Sequence, residues 1–174
     1  MDEFRSLQQF APAFTWLNAH APEDCVALVA ESEAALFTDF VPGFTHCNVY
    51  YTSYVVGVVP EERSRHNYFA QLYVRGVAPA EIETYFKEHQ HELLTYFYRD
   101  WSELFVTHDM TRINALEPTL AAEYRQFVSG DVRSRLTEYR LDYLIDAGML
   151  DGDVIHELGA TKVFEHAGIT IYEL

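Results

Sequence analysis

The sequence predicts an α/β fold: a mostly parallel central sheet flanked by helices on both faces, with a helical block in the middle and a C-terminal antiparallel β-hairpin. Three observations carry that prediction. Residues 25–30 (Cys-Val-Ala-Leu-Val-Ala) form a continuous apolar run, as suits a strand covered on both faces. Such runs alternate with helix-length amphipathic segments, the order that feeds parallel strands through crossover helices. Finally, the strand-like run 141–146 is followed by a hairpin pattern over 161–172, which adds an antiparallel edge.

The elements follow in order. Residues 10–19 read as a short amphipathic helix, with Phe14 and Leu17 one turn apart and Trp16 beside them. Pro22-Glu23-Asp24 is a turn into the first strand. Ser32 is placed to cap a helix running through Phe40, with Glu33 favourable in its first turn, and Val41-Pro42-Gly43 is expected to end it. A second strand spans 47–51. Pro60-Glu61-Glu62 starts a helix that should reach about Arg75 and stop at Gly76. The next helix begins at Pro79, and its Ile82, Phe86, His89, Leu93, Phe97, Trp101 and Leu104 recur at steps of three or four, one stripe of a single long helix. Helices over 118–128 and 131–139 deliver the chain into the strand at Asp142. In the hairpin, Gly168 suits a left-handed turn position, and Ile169 and Ile171 face the core opposite Thr170 and Tyr172.

Composition narrows the function classes. The 174 residues read as one domain, 1–174, long enough to bury about 70% of the unfolded surface. Hydrophobic residues at 49% and aromatics at 15% call for a full core. A formal net charge of -15 disfavours nucleic acid and anionic membrane surfaces, which require clustered Lys and Arg. No run of eighteen apolar residues is present, and the acidic start Met1-Asp2-Glu3 is unlike a signal peptide. The expected location is therefore cytoplasmic if the chain is whole, or extracytoplasmic if anchoring segments belong to a longer protein.

Motifs for chemistry are sparse. No Gly-x-Gly-x-x-Gly or Walker loop follows the first strand, and Glu31 and Glu33 stand where a dinucleotide phosphate would sit, so no cofactor is expected. His89-Gln90-His91-Glu92 resembles a metal motif, but residues two apart point about 200° around a helix axis, leaving His89 at the core edge and His91 in solvent. His108-Asp109 is a dyad without a placed nucleophile, and the Glu61-Glu62 and Glu81/Glu83 pairs read as partners of helix N-termini. Cys25 and Cys47 read as small buried hydrophobes. A disulfide between neighbouring strands is the alternative in an oxidising compartment. A zinc site at His46-Cys47 would require further ligands, so no metal is expected. One positional argument remains: in open α/β sheets ligands settle at the carboxyl ends of strands. Those ends carry Glu31 and Ser32, then Tyr51 and Thr52, then Asp146, a set suited to a sugar or another polar small molecule or, alternatively, to caps and loop residues.

The helix Phe14-Thr15-Trp16-Leu17 leads into Pro22-Glu23-Asp24 and the strand Val26-Ala27-Leu28-Val29. Val41-Pro42-Gly43-Phe44-Thr45, Pro60-Glu61-Glu62-Arg63, Leu136-Thr137-Glu138-Tyr139 before Asp142-Tyr143-Leu144-Ile145, and the closing Val163-Phe164-Glu165 and Ile169-Thr170-Ile171-Tyr172 follow in that order. With this order, residues 10–174 resemble the soluble C-terminal region of bacterial polytopic membrane proteins similar to lipid-linked-sugar glycosyltransferases. In such proteins the catalytic acid lies between N-terminal membrane helices, so the resemblance carries no catalytic residue onto this chain. It implies a non-catalytic extracytoplasmic domain that binds carbohydrate or lipid-linked sugar, or caps an active site, and that meets the membrane only through a segment absent from this chain. A stand-alone small-molecule-binding protein or enzyme acting at the strand ends, and an interaction module using the aromatic-rich region 96–105, are the alternatives.

Overall fold

The computed structural model describes residues 2–31, 37–50, 60–97 and 110–174. Among these residues five strands, β1 (Val26–Glu31), β2 (Asn48–Val49), β3 (Tyr143–Ala147), β4 (Thr161–His166) and β5 (Ile169–Glu173), form one open sheet in the order β2-β1-β3-β5-β4. β1 pairs in parallel with β2 and β3, whereas β5 pairs antiparallel with both β3 and β4. The sheet is therefore mixed, which corrects the mostly parallel expectation. β5 lies between β3 and β4, so the hairpin supplies two strands and both antiparallel ladders.

Strand alternation divides the core into two layers. Ala27, Val29, Tyr143, Ile145, Ile169 and Ile171 face α1 (Asp2–His20) and α2 (Phe37–Phe44), packing with Phe14, Leu17 and Phe37. Leu28, Ala30 and Leu144 face the other way, against the helical block. That block contains α3 (Glu61–Val74), α4 (Ile82–Glu88), α5 (Gln90–Phe97), α6 (Thr111–Val128), α7 (Val132–Leu136) and α8 (Gly152–Leu158). The interior of β1 is buried from Ala27 to Ala30, as its unbroken apolar run requires.

Several boundaries depart from the sequence reading, each for an identifiable reason. α1 begins at Asp2 and carries Pro12 inside it. Burial of Phe10, Ala13, Phe14 and Leu17 offsets the cost of about 3 kcal/mol that an internal proline imposes. Pro42 and Gly43 lie within α2 rather than ending it, because Val41 buries its side chain fully and the Thr45 amide continues the pattern onto the Val41 carbonyl at 2.9 Å. Pro118 likewise lies inside α6, which starts seven residues earlier at Thr111.

The single helix expected from Pro79 is two. His89 leaves helical geometry (φ -119°, ψ 38°) between α4 and α5, while Ile82, Phe86, Leu93 and Phe97 all stay in the core. Beyond the break, Glu92 is buried against Arg75 of the α3 C-terminus, a destination that an apolar stripe does not encode. The continuation of that stripe to Leu104, His108-Asp109 and most of the 96–105 region lie outside the described residues. α8 was not anticipated. Asp151 caps it by accepting the Asp153 amide at 2.9 Å, and Gly159 closes it in the left-handed region.

Gly76 ends α3 as the sequence suggests. It has φ +72° and faces the Asp151 side chain so closely that a Cβ there would collide with it. The hairpin turns on Ala167 and Gly168, both at positive φ (49° and 83°), the left-handed pair that matches strand twist in a two-residue loop.

Cys25 and Cys47 form a disulfide between the start of β1 and the residue before β2, with both residues fully buried. Of the two readings left open by sequence, strand pairing selects the crosslink: the Asn48 amide donates to the Cys25 carbonyl at 2.6 Å, which brings the Cα atoms to 4.4 Å.

Candidate functional site

Two of the residues expected at the strand ends are described. Glu31 and Asp146 end adjacent parallel strands, with Ala30 paired to Asp146 and Glu31 to Ala147. This one-residue offset aims the two carboxylates at opposite faces of the sheet, so they do not form an acid–base pair. Glu31 points toward α2 and accepts the amides of Phe37 at 2.8 Å and Thr38 at 3.1 Å, covering the orphan donors of that helix N-terminus. Asp146 Oδ1 accepts the amides of Gly148, Met149 and Leu150 at 2.7, 3.1 and 3.1 Å, fixing the loop that leaves β3. Both carboxylates are therefore engaged by backbone. Ser32, Tyr51 and Thr52 lie outside the described residues.

Burial pushes the Glu31 carboxyl up to about 7, against the lowering effect of its bonds to Thr38 and Phe37. A raised acid makes the native state bind the extra proton between pH 4.5 and 7, so its contribution to stability falls as pH rises through that window. Glu31→Gln keeps an acceptor for α2 and removes the titration. The stability difference between wild type and this variant, followed by urea denaturation, is expected to decline from pH 4.5 to 7. A flat difference would mean that the carboxyl titrates at its ordinary value.

The polar concavity lies elsewhere, on the helical face. A cleft of about 640 Å³ is lined from α3 by Glu61, Glu62, Arg65, His66 and Phe69, from α6 by Glu123, Gln126 and Phe127, and from α7 by Arg135. Helical spacing builds each wall: Glu61, Arg65 and Phe69 recur every four residues, and Glu123 stands one turn before Gln126 and Phe127. The mostly buried rings of Phe69 and Phe127 make the floor. Arg65 bridges the walls, donating to both Glu123 oxygens at 2.6 and 2.8 Å and to Glu61 at 2.5 Å. Arg135 donates to the Gln126 carbonyl, and its guanidinium lies 5.8 Å from the Phe127 ring centre.

One side of the cleft is fixed by a relay into the sheet edge. The Tyr50 hydroxyl donates to the Leu136 carbonyl at 3.0 Å, and the same oxygen lies 2.7 Å from His66 Nε2, which must then be the donor of that pair. Burial pushes His66 down to about 4, with Arg63 lowering it further and Glu138 opposing. Arg63 is stacked on the Tyr139 ring at 3.4 Å, with Tyr50 at 4.7 Å, and burial lowers its pKa as well. A neutral imidazole already bound to a tyrosine is a poor proton acceptor near neutral pH. Among the described residues the cleft lining contains no Ser, Thr or Cys nucleophile.

None of these lining residues was selected from sequence. Sequence assigns Glu61 and Glu62 to a helix N-terminus, and the legible signal of the cleft is the four-residue spacing Glu61–Arg65, an ion pair along one helix. A shallower groove of about 520 Å³ runs along α1 beside β4, with Trp16 between His20 and Phe164. Among the described residues no helix is long and apolar enough to cross a membrane. No protein family, curated protein or solved structure matches the chain.

Proposed function

We propose that this chain is a non-catalytic extracytoplasmic domain of a membrane-anchored glycosyltransferase-like protein, and that it holds an uncharged stretch of carbohydrate in the cleft between α3, α6 and α7. The observation that carries this reading is the lining of the cleft. Planar carboxylate, guanidinium and amide groups surround an aromatic floor, the combination that can hydrogen-bond ring hydroxyls while covering a sugar's apolar face.

Charge argues for a neutral ligand. Three carboxylates face two guanidiniums across the cleft, and Arg65 is already engaged by Glu61 and Glu123. A phosphate would meet a surplus of negative charge there. The Cys25–Cys47 bond supports an oxidising compartment. Both carboxylates described at the strand ends serve as backbone caps, which weighs against a reaction centred there.

Saturation-transfer NMR with neutral oligosaccharides tests the proposal. Glu62 and Gln126 lie on the exposed rim, and the double variant Glu62→Ala/Gln126→Ala should leave the melting temperature within about 2 °C while weakening binding about tenfold, the equivalent of 1.4 kcal/mol. Absence of transfer for every neutral glycan tried, or undiminished binding in the variant, would sink it.

A further inference from the structure

We propose that Cys25, His46 and Cys47 form, in the dithiol state of the chain, a three-ligand site for a thiophilic metal ion such as Zn²⁺ or Cu⁺. Sequence alone offers His46-Cys47 and no third ligand; the β1–β2 pairing supplies it. The two sulfurs and a nitrogen of the His46 ring all lie within 4.8 Å of one another. A tetrahedral ion with Zn–S bonds of about 2.3 Å needs its sulfurs about 3.8 Å apart. Opening the disulfide therefore asks for a local adjustment and no rearrangement of the strands.

The imidazole tautomer is set by a backbone carbonyl. His46 Nε2 lies 3.1 Å from the Ala21 carbonyl, which can only accept, so Nε2 carries the hydrogen and Nδ1 keeps its lone pair. A carbonyl bonded to one ring nitrogen fixes the tautomer and leaves the other as the ligand atom, the arrangement that orients metal-bound histidines. The surrounding loop is tied down independently of the sulfurs. The His46 amide donates to Asn18 Oδ1 at 3.1 Å, and Asn18 Nδ2 donates to the Phe44 carbonyl at 2.9 Å. The Cys47 amide donates to Thr45 Oγ1 at 3.1 Å, and that hydroxyl donates to the Val41 carbonyl at 2.7 Å. His46 is only half buried beside two fully buried sulfurs, so it is the exposed side of the cluster.

The chemistry balances simply. A thiol or phosphine reductant delivers two electrons, two protons are taken up, and the S–S bond becomes two thiols. Metal binding then releases those two protons as both sulfurs become thiolates. Three protein ligands leave the fourth position for water or an incoming donor. Oxidation and metal occupancy are thus mutually exclusive states of the same atoms.

The test uses the full chain produced in a reducing cytoplasm, titrated with Co²⁺ as a spectroscopic stand-in for Zn²⁺ and, separately, with Cu⁺. The reduced chain should take up one ion, with a thiolate-to-cobalt charge-transfer band that Zn²⁺ abolishes. The disulfide-bonded chain should show neither. His46→Ala keeps both thiols, and circular dichroism checks its fold; it should bind more than about tenfold more weakly. Cu⁺ uptake without a cobalt band would assign the site to the softer ion. A reduced chain that takes up neither metal, an oxidised chain that binds equally, or a His46→Ala variant with wild-type affinity would overturn the proposal and leave a structural disulfide only.

Discussion

Replacing Arg75 by Met is expected to destabilise the fold by about 3–5 kcal/mol, because it strands a buried carboxylate. Glu92 and Arg75 pair at 2.9 Å with side chains 6% and 9% exposed. The same carboxylate accepts the hydroxyls of Tyr68 at 3.0 Å and Tyr85 at 3.1 Å, so it ties α3, α4 and α5 together at the kink. Removing both charges in Arg75→Met/Glu92→Leu should recover at least half of the loss, since apolar groups of similar volume replace a buried pair with little penalty. Urea denaturation of the two single variants and the double variant measures the coupling. A single-variant cost below about 1 kcal/mol would place the pair among solvent-screened ion pairs and reject the clamp.

Removing the disulfide is expected to cost about 2–4 kcal/mol. The bond closes a loop whose ends are 22 positions apart in the chain and which includes α2 and the turn before β2. Without it the denatured chain regains the freedom of that loop, so the penalty lies mainly in the unfolded state. Cys25→Ala/Cys47→Ala avoids leaving a lone thiol, and it should shift the urea midpoint downward. An unchanged midpoint would mean that the denatured chain keeps residues 25 and 47 close without the bond, or that the bond strains the native state by as much as it gains.

Local signals were legible where one residue type decides the backbone. β1 announced itself through an unbroken apolar run, α3 through Pro60, Glu61 and Gly76, and the hairpin through Gly168. The mixed sheet was not legible, because inserting β5 between β3 and β4 is a matter of long-range register. Ile169 and Ile171 bury equally well at an edge or in the middle. Prolines misled at 42 and 118, where tertiary burial outweighed a local penalty. The kink at His89 is hidden because the apolar stripe passes through it unbroken, and just beyond it Glu92, a charge that pattern rules assign to solvent, is buried.

The candidate cleft was hidden for a related reason. Arg65 and Glu123 are 58 positions apart, and no spacing rule joins them until α6 packs on α3. Positional reasoning from the sheet pointed to the strand ends, where both described carboxylates proved to be occupied by amides.

The two outer strands described for the sheet bear on how copies of this chain meet when they are held close together. β2 offers only two residues, too few to template a neighbouring strand. β4 is longer, but its ladder is interrupted between Lys162 and Phe164, and Lys162 and Glu165 meet along it at 2.7 Å, with most of its residues exposed. A foreign strand docking there would meet an irregular backbone and would have to strip water from charges. Among the described residues, both borders of the sheet thus present little regular backbone for a second copy to pair with.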